Sequence, residues 1–372
     1  MIYFDNAAST KPSEKVINEV KDVISCYGNP SSLHNLGVSA RRKINNAKQI
    51  ISKKLNCNID EIFFTSGATM SNNLFIQGFL SANPNGRLII STIEHNDIIL
   101  LANYLDELHG NNWVYRVGVD KDGLLNIDDL LDGLSTFIGY PTLCCIQWAN
   151  GECGVIQNME EISNIIHSFD NAYLYTDATQ YIPHFKISLD NINVDGLGMS
   201  GQKINCIKGT GLLYVKQGTP INSILFGEQG LIGGTENVIG ISALGVAFEE
   251  LDYENAELYK KRNILMDELK PYGEIIGTID KRLPNNVYIH FNSIYDGDYW
   301  IASLNEFGIC ASSGSACSSN SDAPSHVVLA MGYSEELANS CIRFTLSKDN
   351  TIEEIHEVVN IVKGILNNNM EV

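Results

Sequence analysis

Positive charge is scarce in this sequence: 25 Lys and Arg stand against 44 Asp and Glu, a formal net charge of −19 over 372 residues. That balance excludes a broad basic nucleic-acid face and leaves room only for a local patch. Long apolar runs are missing too, and none approaches the ~18 residues of a membrane span. The opening MIYFDNAASTKP has neither the basic n-region nor the apolar h-region of a secretory leader. No CxxC pair occurs among the nine cysteines (26, 57, 144, 145, 153, 206, 310, 317 and 341), so zinc-ribbon and thioredoxin-like readings fail and no metal site is expected. An odd cysteine count without a leader points to a reducing compartment, and a cytoplasmic protein is expected. There is no internal repeat and no low-complexity tract.

What is present is ordinary globular material, 44% hydrophobic and 19% charged. The length exceeds what one core normally holds, so two domains are expected. EIFFTS (61–66), RLIIST (87–92), WVYRVGV (113–119), TLCCIQWA (142–149), AYLYTD (172–177), VDGLGMS (194–200) and GLLYVK (211–216) read as strands. Most are apolar on both faces, as central strands under helices must be. Segments near 70–82, 96–109 and 158–169 read as crossover helices. The pattern predicts an α/β protein whose large domain is a mostly parallel, helix-covered sheet. A single long helical pattern runs from Val238 to Lys270, with Pro271 and Gly273 as its stop signal. NNVYIHF, CIRFTLS and a last helix near 352–366 then form a smaller α+β domain. The expected division is 12–250 for the large domain, and 251–372 with the N-terminal segment 1–11 for the small one.

Several residues carry chemistry. In FFTSGATMSNN the strand ends at Thr65, and Ser66, Gly67, Ala68 and Thr69 lead into a helix. Small residues there leave N–H groups open to an anion such as a phosphate, although such joints are common. Asp177 ends an apolar strand, where ligands of open α/β sheets bind. It suits a cationic partner such as a protonated pyridine nitrogen, with Gln180 three residues on; capping the next helix is the plainer role. Lys203 follows Ser200 and Gln202 at another strand end and is a candidate for Schiff-base chemistry, or simply a surface lysine. His95, past a third strand, could stack on an aromatic ring or merely enter a helix. Arg343, inside CIRFTLS, needs an anion. Its fork matches a carboxylate, from a ligand or from the protein itself. Cys317 lies in SSGSACSSNSDAPSH, a stretch too small and polar to bury a thiol, which suits a reactive cysteine as well as an idle surface one.

Taken in order, these motifs resemble the NifS/IscS-like cysteine desulfurases, a group of class V, fold-type I pyridoxal-phosphate enzymes. YFDNAAST (3–10), GNPSSLHNLG (28–37), TSGAT (65–69), IEHND (93–97), GTENV (234–238), SSGSACSS (312–319), PSHVVLAMG (324–332) and IRFTLS (342–347) fall in family order over nearly the whole chain. The resemblance implies pyridoxal 5'-phosphate as cofactor. It implies that Lys203 binds the cofactor covalently, Asp177 pairs with its ring nitrogen, Gln180 meets its phenolic oxygen and His95 stacks on its ring. Gly67, Ala68, Thr69 and Ser200 would hold the phosphate, with Gln202 beside them. Thr235 would reach the phosphate of the other subunit of a homodimer. Arg343 would grip the carboxylate of L-cysteine, and Cys317 would take its sulfur as a persulfide and leave alanine. A sulfur-acceptor protein, a scaffold or carrier serving iron–sulfur assembly or another sulfur pathway, is the further partner implied.

The chain departs from the family pattern at three places. NGECG (150–154) puts Gly151 where the family has a cofactor-contacting Asn. Gln202 replaces the His before the lysine. EQGLIGGT (228–235) carries Gln229 and Ile232 in place of two arginines. Two alternatives stay open, the second of them motivated by Gly151, Gln229 and Ile232. One is another class V reaction, by a selenocysteine lyase or a transaminase; the other is a weakened paralogue with a binding role.

Overall fold

A computed structural model describes residues 1–110, 112–227, 230–314 and 323–367. Its strands are β1 (Ile2–Tyr3), β2 (Ile62–Thr65), β3 (Arg87–Ser91), β4 (Val114–Val117), β5 (Thr142–Cys145), β6 (Ala172–Asp177), β7 (Gly196–Ser200), β8 (Gly211–Val215), β9 (Gly273–Ile275), β10 (Asn286–Phe291), β11 (Ile309–Cys310) and β12 (Cys341–Thr345). Seven of them form the main sheet, in the order β2-β8-β7-β6-β5-β3-β4. β4, β3, β5, β6 and β7 run parallel, and only β8 opposes its neighbours. The helices Ala68–Ala82, Asn96–His109 and Met159–Ile166 cross between these strands, close to where the apolar periodicity puts them. Two smaller sheets, β12-β10-β9 and β1-β11, are the others among the described residues.

The pattern from 238 to 270 is not one helix. It is two, Val238–Glu249 and Ala256–Leu269. The first is apolar nearly all round and buried, whereas the second buries only Leu258, Arg262, Leu265, Met266 and Leu269. One straight helix could not serve both environments, and the chain turns at Leu251–Asn255. There Asp252 accepts the Glu254 N–H at 3.1 Å and pairs with Lys348 at 2.8 Å. The N-terminal helices Glu14–Val23 and Asn35–Leu55, which the strand pattern does not reveal, pack against the first of the two through Val23, Ala40, Ile44, Ala47, Val238 and Ile241.

The apolar core sits in layers on both faces of the main sheet. A separate cluster joins Ile2 and Phe4 to residues between Leu258 and Ile365, with Trp300 at its centre and fully buried. A third, around Ile93, Cys153, Val155, Ile276, Tyr288 and Val327, ties the main sheet to the C-terminal strands. No helix among the described residues is long and apolar enough to cross a membrane.

Close packing of the helix Ala68–Ala82 on β7 depends on two glycines. A Cβ at Gly196 would stand 2.1 Å from the Phe75 ring, and one at Gly198 would stand 2.1 Å from the Tyr175 hydroxyl and 2.8 Å from Asn72 Oδ1. Gly198→Ala is therefore expected to destabilise the fold by about 1–3 kcal/mol, read from urea unfolding, with an unchanged midpoint contradicting this packing.

His167 ties the end of the helix Met159–Ile166 to the entry of β7. Its Nε2 lies 3.0 Å from Asp195 Oδ2 and its Nδ1 lies 2.8 Å from the Ser163 carbonyl. Burial works against the charged ring, but Asp195 and the Ser163 carbonyl outweigh it and raise the pKa. A pKa raised on folding adds stability that is complete below the unfolded value and is lost as pH rises through the folded one. The stability gap between wild type and His167→Gln should accordingly be larger near about pH 5.5 than near about pH 8.5. A gap independent of pH would contradict the pair.

Candidate active site

The parallel strands reverse their order of addition at β3: the chain adds β4 on one side of it and β5 on the other. Ligand sites of open α/β sheets open at such a point, outside the carboxyl ends of the strands. There the loops after β3 and β5 diverge around a cavity of about 330 Å³, a size that suits a small cofactor with its substrate. Gly67, Ala68, Thr69, His95, Asp177, Gln180, Ser200, Gln202, Lys203 and Arg343 all line it, although they come from segments up to 276 residues apart in sequence. Gly151 lines it as well, and a Cβ there would meet Gln180 Nε2 at 3.2 Å.

A polar network holds the two carboxylates of the floor. Asp177 Oδ1 accepts the Thr179 N–H at 2.9 Å, and its Oδ2 accepts from Asn72 Nδ2 at 3.1 Å. The same Asn72 amide reaches Asp97 Oδ2 at 3.1 Å, while the Tyr175 hydroxyl donates to Asn72 Oδ1 at 2.6 Å. Asp97 in turn lies 2.8 Å from His95 Nδ1, and His95 caps the helix that follows it. Burial alone would push the Asp97 carboxyl up, but His95, Thr69 and Asn72 hold its pKa below the ordinary value. Glu94, fully buried beside them, goes the other way: burial pushes its carboxyl well up, and its Oε2 has no partner among the described residues.

The lysine lines the same cavity. Lys203 Nζ donates to the Ala8 carbonyl at 2.5 Å. Thr10 closes over the same turn, donating to the Gln202 carbonyl through both its N–H (2.9 Å) and its hydroxyl (2.8 Å). Gln180 Nε2 donates to the Ala7 carbonyl at 3.0 Å, so the N-terminal segment forms a wall of the cavity.

The anion cradle lies at the start of the helix Ala68–Ala82. Its N-cap is Gly67, at φ +154°, a conformation that side chains disfavour. Gly67 offers no side-chain cap, and the first-turn N–H groups have no acceptor within the helix. A Cβ at Gly67 would touch Ser200 Oγ at 3.4 Å, so absence of a side chain keeps hydroxyl and amides around one space. An amine, a carboxylate, an uncapped helix start and a hydroxyl around one cavity fit a phosphorylated pyridine aldehyde.

Arg343 lines the cavity too. It is buried, with Nη1 donating to the Gly151 carbonyl at 2.9 Å and Nη2 to Asp5 Oδ1 at 3.0 Å. The acid of the protein that a buried arginine calls for is thus Asp5. Thr235 is not in this cavity. It lines an adjoining one of about 410 Å³ that shares Ser66 and Met70 with it, together with Ile232.

Cys317 and Gln229 lie outside the described residues. The residues flanking the cysteine segment do reach the site. Ser312 Oγ donates to Asp5 Oδ1 at 2.7 Å, Ser325 Oγ donates to Glu152 Oε2 at 2.6 Å, and His326 Nε2 lies 2.9 Å from the Glu94 carbonyl. The sequence reading missed Asn72, Glu94, Glu152 and His326. Their one signal is weak: each is polar within a short apolar or glycine-rich motif.

The family model for class-V aminotransferases matches residues 2–358. The chain belongs to this family, in its NifS/IscS-like branch. Family members are pyridoxal-phosphate enzymes, and the cavity meets that requirement. A cysteine desulfurase IscS of Dictyoglomus turgidum is 35% identical over 378 residues, spanning 98% of this chain and 94% of that protein. A cysteine desulfurase of a Nostoc species is 36% identical over 379 residues, 98% of this chain and 93% of its own. Among solved structures, a NifS-like protein superposes with a TM-score of 0.88 at 31% identity, covering 98% and 99% of the two chains. A structure of SspA in complex with cysteine does so at 0.81 and 30%, covering 93% and 99%. Among the described residues of this family member, no group of His, Cys, Asp and Glu is arranged to hold a metal ion.

Proposed function

We propose that this chain is a pyridoxal-phosphate-dependent cysteine desulfurase, which converts L-cysteine to L-alanine and passes the sulfur through Cys317 to an acceptor. The observation that carries this reading is the meeting of Lys203, Asp177, the uncapped start of the helix Ala68–Ala82 and Arg343 around one cavity. When bound, pyridoxal phosphate supplies an electron-poor ring that stabilises negative charge developing at the substrate Cα.

The chain's own residues do the rest. Gly67, Ala68 and Thr69, through helix N–H groups and the Thr69 hydroxyl, would hold the phosphate together with Ser200. Asp177, kept in place by Asn72 and the Thr179 N–H, would hold a proton on the ring nitrogen. His95 would lie against the ring, and Gln180 and Gln202 would fix its edge. Lys203 would bind the aldehyde carbon, then give it up to the substrate amine and take the Cα proton on its Nζ. Arg343 would orient the substrate carboxylate. The Cys317 thiolate would attack the substrate sulfur, so that an S–S bond forms as the Cβ–S bond breaks. The electron pair of the broken bond would stay with the product carbon, which is protonated to alanine.

The reading extends to surroundings and assembly. Eight free cysteines among the described residues suit a reducing, cytoplasmic compartment. Tyr27, Leu33 and Phe226 leave large apolar side chains in water, which suits a homodimer whose Thr235 serves the partner's phosphate. A sulfur-carrier or scaffold protein would collect the persulfide. The two-part division at residue 250 accords with the apolar cluster that joins Ile2 and Phe4 to the C-terminal elements. The test is quantitative production of L-alanine and sulfide from L-cysteine by the purified, cofactor-loaded protein under a reductant. Equal amounts of the two are expected, and neither product would form if the reading is wrong.

A further inference from the structure

The substrate-binding arginine is already occupied by a carboxylate of its own chain. Arg343 and Asp5 form an ion pair at 3.0 Å, with the arginine side chain 4% exposed and the aspartate 18% exposed. Asp5 has little freedom to leave. Its neighbours on the chain are woven between two strands: Phe4 N–H donates to the Cys310 carbonyl at 2.9 Å, Thr345 N–H donates to the Phe4 carbonyl at 2.7 Å, and Asn6 N–H donates to the Thr345 carbonyl at 3.3 Å. Ser312, which exchanges backbone hydrogen bonds with Arg343 itself, also donates its hydroxyl to Asp5 Oδ1 at 2.7 Å. The remaining guanidinium donors are only partly used. Nη1 serves the Gly151 carbonyl, and Nε is buried with no partner among the described residues.

We propose that Asp5 is an affinity-setting counter-charge: it holds the Arg343 fork in place and competes electrostatically with the carboxylate of the incoming amino acid. A buried guanidinium without an anion would be costly in the free enzyme, and Asp5 removes that cost. Once Arg343 is neutralised, however, an arriving carboxylate meets a pair rather than a bare cation. It must approach the guanidinium against the charge of Asp5. The site thereby binds the amino-acid carboxylate loosely enough to release the product, L-alanine, which carries the same group. This inference rests on the reading of Arg343 as the substrate-carboxylate group.

Asp5→Asn separates charge from geometry, because the amide oxygen can still accept from Ser312 and Arg343. Cofactor-loaded wild type and variant would be titrated with L-alanine by calorimetry, with L-alaninamide, which lacks the carboxylate, as the control ligand. The variant should bind L-alanine about tenfold more tightly, with little change for L-alaninamide. Its ligand-free thermal midpoint should fall, and L-alanine should raise that midpoint more than it does in wild type. Asp5→Ser, a second neutral variant, should shift affinity in the same direction and serves if the Asn variant does not fold. Weaker or unchanged L-alanine affinity in a folded neutral variant would overturn the proposal. Failure of wild type to make alanine and sulfide would instead overturn the desulfurase reading, which sets the two failures apart.

Discussion

Lys203→Ala should abolish turnover, lowering sulfide release from L-cysteine by at least about 10³-fold, and should remove the visible absorbance of the lysine-bound cofactor at the same time. Both losses follow from one amine that has two tasks, anchoring the cofactor carbon and accepting the substrate Cα proton. The geometry makes replacement by a neighbour difficult. Lys203 lies on a short turn after β7, tied by Thr10 and the Ala8 carbonyl to a wall that, among the described residues, contributes no second lysine to the cavity lining. Lys203→Arg should fail equally, since a guanidinium keeps its charge but does not give up its proton near neutral pH. Sulfide release by Lys203→Ala at a tenth of the wild-type rate or more would remove the lysine from the chemistry.

Cys317→Ala should lose sulfide release to a similar degree, by about 10³-fold or more, but should keep the cofactor absorbance. The separation of the two readouts distinguishes the sulfur-accepting group from the cofactor-binding ones. Six of the remaining thiols are poor substitutes. Burial raises the pKa of Cys144, Cys145, Cys206 and Cys341, and pushes Cys57 to about 12 and Cys153 to about 11. Such groups stay as thiols at neutral pH, and the thiolate is the form that attacks sulfur. Mass spectrometry after a single turnover should find the added sulfur on the peptide carrying Cys317. Added sulfur on another cysteine, or full sulfide release by Cys317→Ala, would refute the assignment.

Much of the site was legible in local sequence because several of its residues sit at or just past a strand end, where an apolar run stops and a polar or small residue follows. Asp177 after AYLYT, Lys203 after MSGQ and Gly67 within TSGAT announce themselves in this way. Arg343 was visible for the opposite reason, as a charge inside an apolar strand. Asn72 and Glu94 gave no comparable signal. A polar residue one turn into a helix, or one next to a histidine in a turn, looks the same whether it faces water or a buried carboxylate.

The sequence by itself determined the strands and crossover helices of the helix-covered parallel sheet, the family and the residue types available for chemistry, because apolar periodicity and turn residues act over a few positions along the chain. The tertiary structure alone decided which of those residues meet. It broke the 238–270 pattern into two helices, because their buried faces differ. It brought Asp5 against Arg343 and Asn72 between Asp97 and Asp177. It also set Thr235 in a neighbouring cavity rather than in the main one. Those contacts depend on strand order and on how closely helices approach the sheet through Gly196 and Gly198, which are properties of the packed whole.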